Sequence, residues 1–355
     1  MTSLQNVHAR GVLIVSTMLL LGVALIRPAS AQPPNARIGE AVPRDVREIY
    51  NKGLQYLVST QSQAGGWSGG QTGPGVTGLG LMVFLASGED PNFGKYSGNV
   101  KRAIRSLITE QDKNTGILGN SMYHHGFAML GLAEAYGAVD DRRVWPDGKK
   151  GRTIGAALEL AVRAALTSQK NNTRGAWRYS PSDTEADTSV SGAVLVGLLA
   201  ARNAGIEVPD TAIDKAISYY TKMTSASGQV AYSGGLGGFN ESLARISIAT
   251  LVYSVAKRKD LTQFKSTLAY LVNKLEFTGS SGHGWVNYQR YYQAQALFQG
   301  DVDAWERWNK LLIRQLKSSQ LPDGSCPGQH GGSVSTSLSL LSLALNYRFL
   351  PIYER

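Results

Sequence analysis

Apolar residues recur at three- and four-residue intervals, in runs of about 12 to 18 residues separated by glycine-rich turns, which is the period of helices and not of strands. The runs come in pairs. The first member carries the charges and has a single apolar stripe. The second, such as Val194-Leu195-Val196-Gly197-Leu198-Leu199 or Leu338 to Leu345, is apolar nearly all round. A helix without a polar face belongs inside a shell of other helices. First members are expected over residues 45–61, 98–111, 153–169, 210–223, 261–275 and 302–319, and second members over 76–87, 122–136, 187–204, 240–256, 286–299 and 333–347.

The turn between the two members repeats as well. It runs from Gln61 to Gly66-Trp67, from Gln111 to Gly116, from Gln169 to Gly175 and Trp177, and from Gln320 to Gly324. Weaker copies lie at Met223 to Gly228 with Tyr232 and at Leu275 to Gly284-Trp285. One such hairpin cannot bury both of its apolar faces, so copies must stack, as an open solenoid or a closed ring. Six copies in two classes favour an all-α ring, an α/α toroid of twelve helices in two concentric layers. Its inner wall is built from the second helices.

Composition adds a compartment and removes some partners. Arg10, the apolar run Gly11 to Ile26 and Ala29-Ser30-Ala31 read as a signal peptide over residues 1–31, too short for a membrane span and ended by Arg27-Pro28. The remainder divides into a flexible segment 32–44, the toroid 45–350 and a tail 351–355. The expected destination is the periplasm or the medium, with no integral span after cleavage and with peripheral envelope association open. The formal charge is +10. Its basic residues are scattered in pairs such as Lys101-Arg102 and Arg142-Arg143, the distribution of solvated helix faces and not of a nucleic-acid stripe. Cys326 is the one cysteine, so no intrachain disulfide can form.

The Gln-to-Gly turns resemble the repeats of the squalene-hopene cyclase and protein prenyltransferase superfamily, and the likeness covers nearly all of residues 45–350. Two stretches, Met122-Tyr123-His124-His125-Gly126-Phe127 and Trp177-Arg178-Tyr179 through Asp187-Thr188-Ser189-Val190, are similar to exported bacterial members. The resemblance implies a central cavity that holds an apolar, isoprenoid-type molecule. It also implies a comparison of acids. Cyclases of this kind protonate an alkene with the central aspartate of an Asp-x-Asp-Asp-Thr-Ala motif, and the matching stretch is Thr184-Glu185-Ala186-Asp187-Thr188. Only the last aspartate is kept, and Ala186 stands at the donor position. Prenyltransferases hold zinc at inner-helix starts. Tyr123-His124 resembles part of that site, but Thr72 to Thr77 supplies no ligand, and zinc needs three or four. Neither metal nor cofactor is expected. Cys326-Pro327-Gly328-Gln329 has the spacing of a thioester, and the repeat itself accounts for its glutamine.

In a closed ring the inner helices run parallel, so their starts gather at one rim. That geometry selects Asp187, Glu185 and His125 as candidate catalytic groups. It selects Tyr123, His124, Glu241, Tyr288, Arg290, Tyr291 and His330 as candidate ligand-binding groups. Asp187 also suits a helix N-cap. The aromatic stripe of Tyr288, Tyr291 and Tyr292 suits either core or a stacking surface. The expected function is an exported toroid that binds a small apolar or carbohydrate ligand in its cavity. The alternative is an enzyme, either an isoprenoid cyclase or transferase using Glu185 or Asp187 as acid, or a polysaccharide lyase.

Overall fold

Twelve helices form among the described residues, which in this computed structural model are 42–235, 241–275 and 285–353. The leader expected at residues 1–31 lies outside them, as do Asn240 and Gly284. The first helices of the hairpins are α1 (Arg44–Thr60), α3 (Ser97–Glu110), α5 (Ile154–Asn171), α7 (Asp210–Met223), α9 (Thr262–Asn273) and α11 (Val302–Ser319). The second helices are α2 (Pro74–Leu85), α4 (Met122–Ala135), α6 (Thr188–Asn203), α8 (Leu243–Val255), α10 (Val286–Gly300) and α12 (Gly332–Leu343).

Each inner helix packs on the next, α2 on α4 and so on round to α10 on α12, and α12 returns to α2. Each outer helix packs on the two inner helices beside it, α3 on α2 and α4 for example, and α1 on α12 and α2. The ring is therefore closed and two-layered. Its chemistry follows the layers: α2 is buried along almost its whole length, whereas α3 buries one stripe, Val100, Ala103, Ile104 and Leu107 among it. One element falls outside the all-helical plan: Ser68–Gly69 pairs antiparallel with Gln71–Thr72 in a tight hairpin ahead of α2.

The repeated glutamine is a staple. Its carboxamide nitrogen donates to the carbonyl of its own turn glycine and to a main-chain carbonyl of the next outer helix. Gln61 reaches Gly65 and Asn99, Gln111 reaches Gly116 and Ala157, Gln169 reaches Gly175 and Ala212, and Gln320 reaches Gly324 and Ile49, all at 2.8 to 3.0 Å. The last staple joins the sixth hairpin to α1 and so closes the ring. In the first turn the equivalent glycine is Gly65, which has positive φ, and not Gly66. It lies against the main chain of Arg102 with no room for a Cβ, and Gly116 meets Leu160 of α5 in the same way. The turn tryptophans lock inward: the Trp67 indole N–H donates to Leu57 and that of Trp177 to Ala165.

Candidate functional site

All six inner helices start at the same end of the ring, and a cavity of about 860 Å³ opens there. Every inner helix contributes to its lining: Val76 and Leu79 of α2, Tyr123, His124 and Phe127 of α4, Ser189 of α6, Arg245 of α8, Tyr288 and Gln289 of α10, and Val334 and Leu338 of α12. The loops before them add Gln71, Tyr179, Tyr232, Glu241, Trp285 and His330. Because helical side chains three and four apart share a face, the first-turn residue at the mouth is followed by an apolar one below, His124 by Phe127 and Val334 by Leu338.

The lumen below the cavity is filled. α4 and α10 stand three places apart round the ring, and their aromatic rings meet across it: Tyr123 and Tyr288 lie 6.1 Å apart between centroids, and so do Phe127 and Tyr291. Tyr292 packs edge-on to Tyr288 at 4.9 Å. Burial pushes the Tyr123, Tyr288 and Tyr292 hydroxyls well above the usual tyrosine range, so all three are neutral donors. The cavity is thus a dead end with an aromatic floor.

His124 is set by glycine. Its Nδ1 accepts the Gly75 N–H at 3.3 Å, which serves as a cap for α2, whose own N-cap residue Gly73 has no side chain to do so. A Cβ on Gly75 would strike His124, and one on Gly119 would strike Pro74 and crowd His124. With Nδ1 accepting, the neutral ring carries its proton on Nε2, and burial lowers the pKa and favours that neutral form. His330 stacks on Trp285 with centroids 4.1 Å apart, and its Nε2 is buried without a hydrogen-bond partner. Glu241 is paired with Lys274 at 3.7 Å. Arg245 donates from Nε to the Val230 carbonyl at 3.0 Å.

The remaining candidates stand elsewhere. His125 is completely buried and faces α5: Nδ1 accepts the Leu118 N–H at 3.0 Å, so Nε2 carries the proton and donates to Ala161, also at 3.0 Å. Burial pushes it down to about 4, and it ties the preceding turn and α5 to α4. Asp187 caps α6, its Oδ1 accepting from Ser189 at 3.0 Å and Val190 at 2.8 Å. Its Oδ2 is buried without a partner, and burial raises the carboxyl to about 6 despite those bonds. It sits behind Ser189 in the wall and is not among the lining residues. Glu185 is half-exposed and bonded to Arg174 at 3.1 Å. Arg290 is buried and held by Asn287, which also bonds Pro327, so together they brace the loop that carries His330. Tyr291 lies under Phe127, in the floor.

Tyr179, Tyr232, Arg245, Gln71 and Phe127 were not selected from the sequence, although all five line the cavity. A signal existed for two of them: Tyr179 and Tyr232 occupy the stretches before consecutive inner helices, and their hydroxyls meet at 3.0 Å. Among the described residues no group of three or more His, Cys, Asp or Glu side chains is placed to hold a metal ion. Cys326 is buried beside Arg290 and Ser339, and burial pushes its thiol up to about 11.

Solved structures share this architecture. A variant of the type II terpene cyclase MstE from Scytonema, in complex with geranylgeranyl dihydroxybenzoate, superposes with a TM-score of 0.60 over 86% of this chain and 98% of that one, at 14% identity. A novel alpha-amylase from Clostridium perfringens gives 0.57 over 85% and 98%, at 10% identity. A protein from Actinoplanes gives 0.55 over 85% and 99%, at 11% identity. At these identities the likeness is one of fold, a helical toroid of the terpene-cyclase kind. No curated protein matches the sequence. Residues 46–316 match the family described as Domain of unknown function (DUF6288), a span that takes in the first helix through the eleventh. With most of its ring inside that match, the chain belongs to the DUF6288 family, folded as a closed toroid with one aromatic-floored cavity at its helix starts.

Proposed function

We propose that this is an exported binding protein whose cavity takes an apolar, isoprenoid-type ligand and does not cyclise it. The observation that carries the reading is the lining: a dead-end space of about 860 Å³ walled by Val76, Leu79, Phe127, Tyr288, Val334 and Leu338, within the roughly 300 to 1,000 Å³ of small-molecule sites. Burying an isoprenoid chain there returns about 25 cal/mol for each Å² of apolar surface removed from water. The toroid of MstE holds a geranylgeranyl compound, which supports the same use of this fold. The chemistry of cyclisation lacks its acid. Ala186 occupies the donor position, Asp187 is engaged as a cap behind the wall, and Glu185 faces solvent with Arg174. Export rests on the leader read at residues 1–31.

One observation favours a second reading, in which Asp187 supplies a proton: its carboxyl, raised to about 6, is held unpartnered at Oδ2 within the wall. Native mass spectrometry and calorimetry with farnesol and geranylgeraniol separate the two. The binding reading expects a retained, unchanged ligand at one per chain, with affinity lost in Leu338→Asp. Absence of binding to either alcohol would overturn it. Recovery of a cyclised product that vanishes in Asp187→Asn would replace it with the second.

A further inference from the structure

The floor of the cavity is apolar, but its mouth is furnished differently. Two large aromatic side chains stand there half exposed: Trp285 at 55% and Tyr179 at 50%. Exposed aromatic residues on ordinary surfaces are loosely held, and these are not. Trp285 is clamped by His330 at 4.1 Å on one side and by Tyr288, edge-on, at 6.0 Å. Tyr179 is fixed through its hydroxyl, 3.0 Å from that of Tyr232. A half-exposed ring held in this way has already lost the rotamer freedom that binding would cost.

We infer that the ligand is a glycolipid-like amphiphile, with its hydrocarbon chain in the cavity and a neutral sugar stacked at the mouth on Trp285 and Tyr179. The inference rests on the apolar-ligand reading above and adds the head group to it. The C–H face of a pyranose is apolar and weakly positive, and it complements the negative face of an indole or phenol ring. Its hydroxyls both donate and accept, and the mouth offers both in neutral form: the carboxamides of Gln71 and Gln289, and the Nε2–H of His124. A charged head is less well served. Glu241 is occupied by Lys274, and Arg245 is tied through Nε to the Val230 carbonyl.

Calorimetry with four probes tests this on the full chain: decanol, decyl β-glucoside below its micelle concentration, decanoate and glucose. The glucoside should bind about tenfold more tightly than decanol, the worth of one or two aromatic stacks. Trp285→Ala and Tyr179→Ala should each bring the ratio of glucoside to decanol affinity down towards one, while Trp285→Phe should keep part of it. Both positions are half-exposed, and an unchanged melting temperature verifies that the variants fold. A glucoside that binds no better than decanol, or an advantage that survives both alanine variants, overturns the sugar head and leaves the apolar cavity standing. Decanoate binding more tightly than the glucoside overturns it in favour of an anionic head. If neither decanol nor the glucoside binds, the apolar-ligand reading itself falls.

Discussion

Asp187 shows how one side chain can satisfy two readings of a sequence and still serve mainly one of them. Its two bonds to the start of α6 are those of an N-cap, worth about 1 kcal/mol. Its second oxygen, however, is sealed from water, and the carboxyl rises from the usual 3.8 to about 6. A raised carboxyl favours folding while it is protonated, so its contribution is complete below about pH 4 and is lost as the pH climbs through about 6. Asparagine keeps the capping oxygen without the charge. Asp187→Asn should therefore melt at the same temperature as the wild type near pH 4 and at a higher one near pH 7. Thermal unfolding followed by circular dichroism across that range gives the comparison, and a variant less stable than the wild type at pH 7 would contradict the assignment.

Helices of the outer layer differ in how firmly they are held, and the staples explain why. α3, α5, α7 and α1 each receive a carboxamide from the hairpin before them. α9 does not, because the fourth turn has Met223-Thr224 where the four stapled turns have glutamine, and the Thr224 hydroxyl bonds within its own hairpin to Tyr220. α9 also buries only Phe264, Thr267 and Leu271. Local opening follows the number of buried contacts and stapled carbonyls, so α9 should exchange its amide hydrogens ahead of α3 and α5. In Gln111→Ala the buried carbonyls of Gly116 and Ala157 lose their donor, at a cost of roughly 1 to 3 kcal/mol. α5 should then exchange at a rate approaching that of α9. Hydrogen–deuterium exchange read by mass spectrometry resolves both, and uniform protection of the outer layer would refute the ranking.

The molecule as a whole has unlike ends. At the helix starts lies the cavity, and at the opposite end Leu350 and Ile352 are buried by a C-terminal segment whose last turn, Pro351–Tyr353, packs on α6. Glu134, near the end of α4, accepts from the Ile352 N–H at 3.5 Å and is otherwise enclosed, so burial raises it to about 8. The group is neutral at pH 7. Its contribution to stability is whole below about pH 4.5 and disappears as the pH rises through about 8. The wild type should lose melting temperature on the alkaline side, and Glu134→Gln should flatten that decline. A decline equal in both would show that the C-terminal segment does not depend on Glu134. Two of the scattered basic residues find a role at this scale: Arg102 and Arg152 bond the carboxamide oxygens of Gln61 and Gln111, as neighbours in the staple network.

Much of the fold was legible in the order of residues. Apolar period, turn glycines and paired helices are local properties, and each of the twelve helices lies within a few residues of its expected bounds. Closure was legible too, because six like hairpins leave few other ways to cover their inner faces. The rim was half legible: parallel inner helices bring Tyr123, His124, Glu241, Tyr288 and His330 to one cavity however distant they are in the chain. What position along a helix could not say is which way neighbouring side chains turn. His124 and His125 are adjacent, and a rotation of about 100° per residue sends one to the cavity and the other to α5. Asp187 likewise falls behind the wall while Ser189, two residues on, lines it. The aromatic floor arose from contacts between α4 and α10, which no local pattern records, and those cross-ring pairs are what turn an open channel into a pocket with a bottom.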